Sequence, residues 1–132
     1  MILVDTSVLI NFFKGIENEK VNKLTEIINN GIPFGITKHI YMELIQGSLN
    51  MKEFNQLKDY LGSQRFYDLK NGIKSYEKAA LIYFKCRRKG ITIRSSIDLI
   101  IIQTAIENKL FLLHDDRDFS QIARIITELK EY

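Results

Sequence analysis

The sequence is poor in the residues that support sulfur-based or histidine-based chemistry. Its 132 residues include one cysteine, Cys86, which excludes an internal disulfide and a multi-thiolate metal site. Apolar helical neighbours such as Ile82 and Phe84 favour a packed thiol over a nucleophile. His39 and His114 are the only histidines, and they lack the HExxH spacing of zinc proteases. We therefore expect no chemistry based on thiolates or on paired histidines.

Several common catalytic motifs are also missing. The chain has seven glycines and one proline, with no P-loop, no GxGxxG fingerprint, no linker and no repeat. No nucleophile elbow supports a serine triad. A phosphatase of the haloacid dehalogenase type needs a second aspartate two residues after Asp5, where this chain has Ser7. A calcium loop beginning at Asp116 fails because Gln121 and Thr127 stand where glycine and glutamate are needed.

Long hydrophobic runs are absent as well. The richest run, Leu99–Ile102, stops at Gln103 and is far too short to span a membrane. Three apolar residues precede Asp5, too few for the core of a signal peptide. The chain is 45% hydrophobic and 27% charged, with a net charge of +3 that permits nucleic acid as a partner without demanding it. We expect a soluble cytoplasmic protein.

Short apolar runs alternate with helical patterns along the chain. Strands are predicted at Ile2–Val4, Phe34–Ile36 and Leu110–His114, with a weaker one at Phe66–Leu69. The tail from Ile125 fits a helix or an edge strand. Alternating strands and helices predict an α/β fold with a short, mainly parallel central sheet flanked by helices on both faces.

Helical spacing predicts seven helices among these strands. They cover about residues 7–13, 21–30, 37–47, 51–61, 76–89 and 95–109, and the last begins near 117. Thr37 is predicted to cap the third helix, and Ser95 or Ser96 the sixth. The fifth helix is closed by Gly90, and its predicted buried stripe comprises Tyr76, Ala79, Ala80, Tyr83 and Phe84.

Acidic side chains follow the first and the last predicted strands. Asp5 follows the first, and the last is followed by Asp115, Asp116 and Asp118. Ligands of open α/β sheets bind beyond the carboxyl ends of the strands, where these acids are expected. Crowded carboxylates are costly there unless cations or N–H donors join them. Asp5 also fits the simpler role of helix cap, although Thr6 and Ser7 suit that role equally well.

Two further carboxylates lie on predicted helices. Asp98 projects between Ile101 and Ile102 on an apolar helix face, or it only interacts with the dipole of its helix from the first turn. Glu43 borders the apolar face of its helix, where an ordinary surface glutamate is the commoner case. Because thiolate and paired histidine ligands are excluded, the remaining prediction is an all-oxygen site of the kind that Mg²⁺ or Mn²⁺ prefers.

Four segments of the chain together resemble a known family. They are Val4–Ile10, Glu43-Leu44 with Gly47, Ser96–Asp98 and Leu112–Phe119. In this order and at these separations they resemble the PIN-domain ribonucleases, and more narrowly the VapC-type toxins of prokaryotic toxin–antitoxin pairs. The resemblance covers nearly the whole chain. It implies a PIN-like three-layer sandwich formed by a single domain over residues 1–132.

The resemblance also implies a set of site residues. The implied catalytic acids are Asp5, Glu43, Asp98 and Asp116, and the implied metal ligands are Asp5, Asp98 and Asp116. Asp118 would be a supporting acid and Ser7 a polar neighbour. Asp116 is favoured over Asp115 because the family pattern places an acid two residues before the Asp118-Phe119 pair. Asp115 is then expected to be peripheral.

The function implied by the resemblance is hydrolysis of RNA phosphodiester bonds by a Mg²⁺- or Mn²⁺-dependent endoribonuclease. It implies tRNA or ribosomal RNA as substrate, a cognate antitoxin as partner and a homodimer as assembly. Two alternatives stay open: a PIN nuclease of RNA maturation or decay without an antitoxin, and a non-catalytic RNA-binding module. Arg94 is the candidate RNA contact, near a group of cations at Lys85, Arg87, Arg88 and Lys89. Lys85 and Arg88 also fit a simpler interaction with the helix dipole.

Overall fold

A parallel sheet of five short strands lies at the centre of the protein. The computed structural model describes residues 1–132. The strands are β1 (Ile2–Val4), β2 (Phe34–Ile36), β3 (Arg65–Phe66), β4 (Phe111–Leu113) and β5 (Lys130–Glu131). Their order in the sheet is β3-β2-β1-β4-β5, and every neighbouring pair is parallel. The predicted parallel sheet is therefore confirmed.

Helices cover both faces of this sheet. Ile2, Leu3 and Val4 are all buried, although successive side chains of a strand point to opposite faces. Both faces of β1 must therefore be covered, which makes the fold a three-layer α/β sandwich. The helices are α1 (Thr6–Phe13), α2 (Glu19–Asn29), α3 (Lys38–Gln46), α4 (Met51–Gly62), α5 (Ile73–Arg88), α6 (Ser96–Glu107) and α7 (Arg117–Ile125). None of them combines the length and apolar composition that a membrane span requires.

Side-chain caps fix where several helices begin. The hydroxyl of Thr37 accepts a hydrogen bond from Ile40 N–H at 3.2 Å, which confirms the predicted cap of α3. At α6 the capping residue is Ser95 and not Ser96, because the Ser95 hydroxyl accepts from Ile97 N–H at 3.2 Å. These caps determine which side chains occupy the first turn of each helix, and Asp98 lies in the first turn of α6.

The pairing of β1 with β4 positions the acidic segments. Leu3 lies opposite Leu112 and Val4 opposite Leu113, so the two strands end at the same level. Asp5 N–H continues the pairing by donating to Leu113 O at 2.9 Å. The residues after both strands therefore emerge side by side at the carboxyl edge of the sheet.

The predicted stripe of α5 is wrong at Tyr76, Ala80 and Phe84 and is confirmed at Ala79. The buried residues of this helix are Ser75, Ala79, Ile82 and Cys86, whereas Tyr76 and Phe84 are about half exposed. The buried face of α5 lies next to α6, and of the aromatic side chains in the predicted stripe only Tyr83 packs against the core. Cys86 is fully buried, as predicted for a packed thiol, and burial raises the pKa of its thiol.

The third strand and the tail also differ from the prediction. β3 is Arg65–Phe66 and not Phe66–Leu69, and the ring of Tyr67, the residue that follows the strand, lies across Gly35 of β2. A Cβ at Gly35 would lie 2.5 Å from that ring, so only glycine allows this crossing. The tail, which the sequence left open, ends as the edge strand β5, where Lys130 lies opposite Phe111.

Candidate active site

Carboxylates from four parts of the chain meet at the carboxyl edge of the sheet. Asp5 follows β1, Asp116 lies between β4 and α7, Asp98 is in the first turn of α6, and Glu43 is on α3. The negative charges of Asp5, Asp116, Glu43 and Asp118 all raise the pKa of Asp98. The structure thus brings together the acids that the sequence picked out, although their roles in catalysis stay predictions.

Asp5 is both buried and a helix cap. Its side chain is 6% exposed, and Oδ2 accepts hydrogen bonds from Ser7 N–H at 3.1 Å and from the Ser7 hydroxyl at 2.7 Å. Of the three capping residues that the sequence left open, the structure selects Asp5, which caps α1. Burial raises the pKa of Asp5 despite these hydrogen bonds, and the charge of Glu43 raises it further. Capping and membership of the acidic group are therefore compatible.

Asp98 is a carboxylate that no hydrogen bond stabilises. Burial, and then the charges of Asp5 and Asp116, raise its pKa to about 6. No hydrogen bond to its side chain lowers this value. The alternative interpretation, a favourable interaction with the N-terminus of α6, predicts a lowered pKa instead. Burial and the neighbouring negative charges therefore set the pKa of Asp98.

Asp116 and Asp118 occupy the N-terminal turn of α7. Asp116 caps the helix, and its Oδ1 accepts from Asp118 N–H at 2.9 Å. Asp118 Oδ2 accepts from Arg94 Nη2 at 3.0 Å. The hydrogen bond with Asp118, and next its charge, raise the pKa of the Arg94 guanidinium, which is 82% exposed. The predicted RNA contact thus lies at the acidic site, with its guanidinium on the surface.

Glu43 and Asp115 lie at the border of the site. Glu43 is exposed, and its Oε2 accepts from the Thr6 hydroxyl at 2.9 Å. Asp115 is exposed too, and its backbone N–H donates to Ser7 Oγ at 2.9 Å. Ser7 therefore connects two parts of the site, since its own hydroxyl donates to Asp5. The Asp115 side chain takes no part in these contacts, in keeping with a peripheral position.

The chemistry of the donors fits a hard divalent cation. The clustered groups are all carboxylates, and burial together with neighbouring negative charges raises the pKa of Asp5 and of Asp98. As they stand, no three His, Cys, Asp or Glu side chains are close enough together to hold a metal ion. Ion binding would therefore require the carboxylates to move towards one another, which a cation favours by removing their repulsion.

The cations at the end of α5 form no ion pairs. Lys85, Arg87, Arg88 and Lys89 have no carboxylate within 4.0 Å. The guanidinium of Arg87 lies 5.6 Å from the centre of the Tyr83 ring, and that of Arg88 lies 5.7 Å from the Phe84 ring. Three of the four cations lie in the last turn of α5, where they also favour its dipole.

Sequence reasoning missed two contacts of the site. Thr6 was considered only as a cap, yet it donates to Glu43, 37 residues away. His114 was discussed only for the absence of a zinc motif, yet it is 3% exposed and lies between Asp116 and Glu131. No local pattern predicts either contact, because each depends on which elements become neighbours in the sheet.

Comparisons with known proteins place this geometry in a family. The family model described as PIN domain matches residues 2–125. Ribonuclease VapC11 of Mycobacterium tuberculosis is 29% identical over 126 residues, which cover 95% of this chain and 93% of that protein.

Two solved structures share the fold. The structure of VapBC2 from Rickettsia felis bound to a promoter DNA fragment has a TM-score of 0.74 at 19% identity, covering 100% of this chain and 98% of that one. DNA-bound VapBC from Salmonella typhimurium has a TM-score of 0.75 at 18% identity, covering 99% and 96%. Since the family model spans nearly the whole chain, this protein belongs to the PIN domain family.

Proposed function

We propose that this chain, as a single PIN domain, is a metal-dependent endoribonuclease and the toxin of a toxin–antitoxin pair. The observation that carries the proposal is Asp98, a half-buried carboxylate surrounded by four others and without a hydrogen-bond donor. A carboxylate placed at such cost is typical of a site that binds a cation. The similarity to Ribonuclease VapC11 supports RNA as the substrate.

Each acid has a proposed role. Asp5, Asp98 and Asp116 hold Mg²⁺ or Mn²⁺, and Glu43 holds a second ion or orients the attacking water. When bound, the ion would supply an activated water near neutral pH and would compensate charge on the phosphate in the transition state. Asp5 is kept in place for this by its two hydrogen bonds with Ser7. Asp118 supports the site by orienting Arg94.

RNA is held by the cations around the site. Arg94 contacts a phosphate next to the acids, since its guanidinium is exposed and oriented by Asp118. The unpaired cations at the end of α5 extend this surface, because the loop that follows them leads directly to Arg94 and α6. Transfer RNA or ribosomal RNA is the proposed substrate.

The proposed partner is a cognate antitoxin. One structure that shares the fold is that of a toxin–antitoxin complex from Klebsiella pneumoniae, and two others are those of VapBC proteins bound to DNA. A groove of about 350 Å³ beside Glu43 supplies apolar surface for such a partner, and its lining includes Ile10, Phe13, Leu49 and Leu57. We also propose that the protein forms a homodimer and is located in the cytoplasm.

The two alternatives differ from this proposal in what they require. A PIN nuclease of RNA maturation or decay needs the same acids but no antitoxin, so a small upstream gene with a DNA-binding head and a flexible tail favours the toxin. A non-catalytic RNA-binding module needs the cations but not the acids. The burial of Asp98 among other acids, which raises its pKa, favours an enzyme over that module.

The test is cleavage of pooled tRNA and ribosomal RNA by the purified protein with Mg²⁺, with Mn²⁺ and with EDTA. The proposal predicts discrete products that require metal and that disappear in Asp116→Asn. The matched control is Asp115→Asn, an exposed neighbour expected to cut like the wild type. Equal cleavage in EDTA, or loss of activity in Asp115→Asn alone, would contradict the proposed site. Tight RNA binding without cleavage would favour the binding module.

A further inference from the structure

A buried histidine connects the candidate active site to the C-terminal strand. His114 directly follows β4, and its ring packs edge-on against Phe119 at 5.2 Å between ring centres. Its Nδ1 lies 3.1 Å from Asp116 N, and its Nε2 lies 2.7 Å from Glu131 Oε2. No role proposed so far uses this side chain.

The contacts of the ring determine its protonation. Asp116 N–H can only donate, so Nδ1 accepts and carries no proton. The ring proton is then on Nε2, which donates to the carboxylate of Glu131. The Ser120 hydroxyl donates to the same Glu131 oxygen at 2.9 Å. The two contacts thus assign the Nε2–H tautomer to His114 and hold its ring at both nitrogens.

These contacts fix the segment that carries Asp116. Asp116 N–H is held by His114, and Asp116 Oδ1 is held by Asp118 N–H. The preceding residue is held from the other side, where Ser7 Oγ accepts from Asp115 N–H. Removing the His114 contact leaves the backbone of Asp116 without this anchor.

We propose that His114 is a positioning residue that holds Asp116 in the geometry for metal binding, and that Glu131 of β5 orients its imidazole. This inference rests on the proposed function of Asp116. Partners of this kind typically change metal affinity or activity by about 10- to 100-fold when they are removed. The C-terminal strand is therefore part of the active-site support, although it supplies no ligand.

The experiment compares Glu131→Ala, Glu131→Gln and His114→Phe. Glu131→Ala removes the acceptor, whereas Glu131→Gln retains an acceptor oxygen for Nε2–H. His114→Phe keeps an aromatic ring against Phe119 but removes both ring nitrogens. Glu128→Ala is the matched control, since it removes an exposed carboxylate of the same tail that forms no hydrogen bond with His114.

Two readouts are made on each variant. Mn²⁺ affinity of the protein without RNA is expected to fall about 10- to 100-fold in Glu131→Ala and His114→Phe, and to stay near the wild-type value in Glu131→Gln and Glu128→Ala. Cleavage is expected to lose kcat by a similar factor with KM for RNA unchanged. A merely structural role would lower the melting temperature without this pattern.

A third readout needs neither metal nor turnover. The ¹⁵N chemical shifts of the His114 ring in the metal-free protein are expected to show the Nε2–H form, and a proton on Nδ1 would overturn the inference. Wild-type Mn²⁺ affinity in both Glu131→Ala and His114→Phe would overturn it as well. If the wild type neither binds Mn²⁺ nor cuts RNA, the proposed function itself fails. If the wild type cuts RNA with metal and the variants behave like the wild type, only the proposed role of His114 fails.

Discussion

The two ends of α6 carry carboxylates in opposite electrostatic situations. Asp98, in the first turn, has no hydrogen-bond donor, and burial together with neighbouring charges raises its pKa to about 6. Glu107, in the last turn, accepts from Lys70 N–H at 2.7 Å and from Gln103 Nε2 at 3.0 Å. Burial raises the pKa of Glu107, but its hydrogen bonds outweigh burial and leave the pKa below the usual value.

The helix dipole alone predicts the reverse order. It favours an acid at the N-terminus, where Asp98 lies, and disfavours one at the C-terminus, where Glu107 lies. Hydrogen-bond donors and neighbouring charges therefore decide the stability of these two carboxylates. An acid supplied with donors stabilises the fold, whereas an acid left without them among other acids is suited to bind a cation.

The largest expected effect of this difference is on cleavage. Asp98→Asn is predicted to reduce metal-dependent RNA cleavage by about 10³-fold or more, because a lost metal ligand costs several kcal/mol of transition-state stabilisation. Glu107→Gln, the same chemical change at the other end of α6, is predicted to leave kcat near the wild-type value. Single-turnover cleavage of a defined RNA by the two variants measures this. If both variants lose the same cleavage activity, the carboxylates at the two ends of α6 do not differ in function.

Metal addition is expected to stabilise the protein through Asp98. At about a hundred times its Kd, Mn²⁺ should add about 2.7 kcal/mol to the free energy of unfolding of the wild type. Glu107→Gln should show the same gain, and Asp98→Asn a much smaller one. Urea unfolding with Mn²⁺ and with EDTA provides the comparison. A full gain in Asp98→Asn would show that the ion binds elsewhere.

Removal of Glu107 is expected to destabilise the fold. Glu107→Ala leaves the Lys70 N–H and the Gln103 amide without their acceptor, which costs about 1–2 kcal/mol in the free energy of unfolding. The control is Glu128→Ala, which removes an exposed carboxylate outside this network. Urea titrations of both variants at the same pH measure the difference. Unchanged stability in Glu107→Ala would mean that water replaces these contacts at no cost.

Asp98→Asn is expected to raise the free energy of unfolding, by less than Glu107→Ala lowers it. Its pKa rises from 3.8 to about 6 on folding, which amounts to at most about 3 kcal/mol. Solvent screening at this half-buried position reduces the expected gain in Asp98→Asn to about 1 kcal/mol near neutral pH without metal.

The pH dependence follows from the sign of that change in pKa. The folded protein binds the Asp98 proton more tightly than the unfolded chain does. The stabilisation of the fold by this proton is therefore complete below pH 3.8 and is lost as the pH rises through about 6. The advantage of Asp98→Asn over the wild type should therefore shrink as the pH falls below 6 in EDTA. If the difference in free energy of unfolding between Asp98→Asn and the wild type does not change with pH, the raised pKa of Asp98 is not its cause.

The site illustrates what could be predicted from single residues. Asp98 was identified because a charged residue interrupts an apolar helical face, which is a local signal in the sequence. Glu43 carried almost no such signal, since an exposed glutamate beside an apolar face is common. Its place at the site depends on the Thr6 contact across 37 residues. Its prediction relied on the resemblance to PIN domains and not on its own surroundings.

The sequence by itself determined the alternation of strands and helices, the parallel sheet and the acids at the strand ends. These features arise from hydrophobic periodicity and capping, which act over a few residues. Only the tertiary structure decided the buried stripe of α5, the end of the tail as β5 and the placement of His114 between Asp116 and Glu131. Those outcomes depend on which surfaces approach closely and which backbone groups find partners, and such contacts join residues that are distant along the chain.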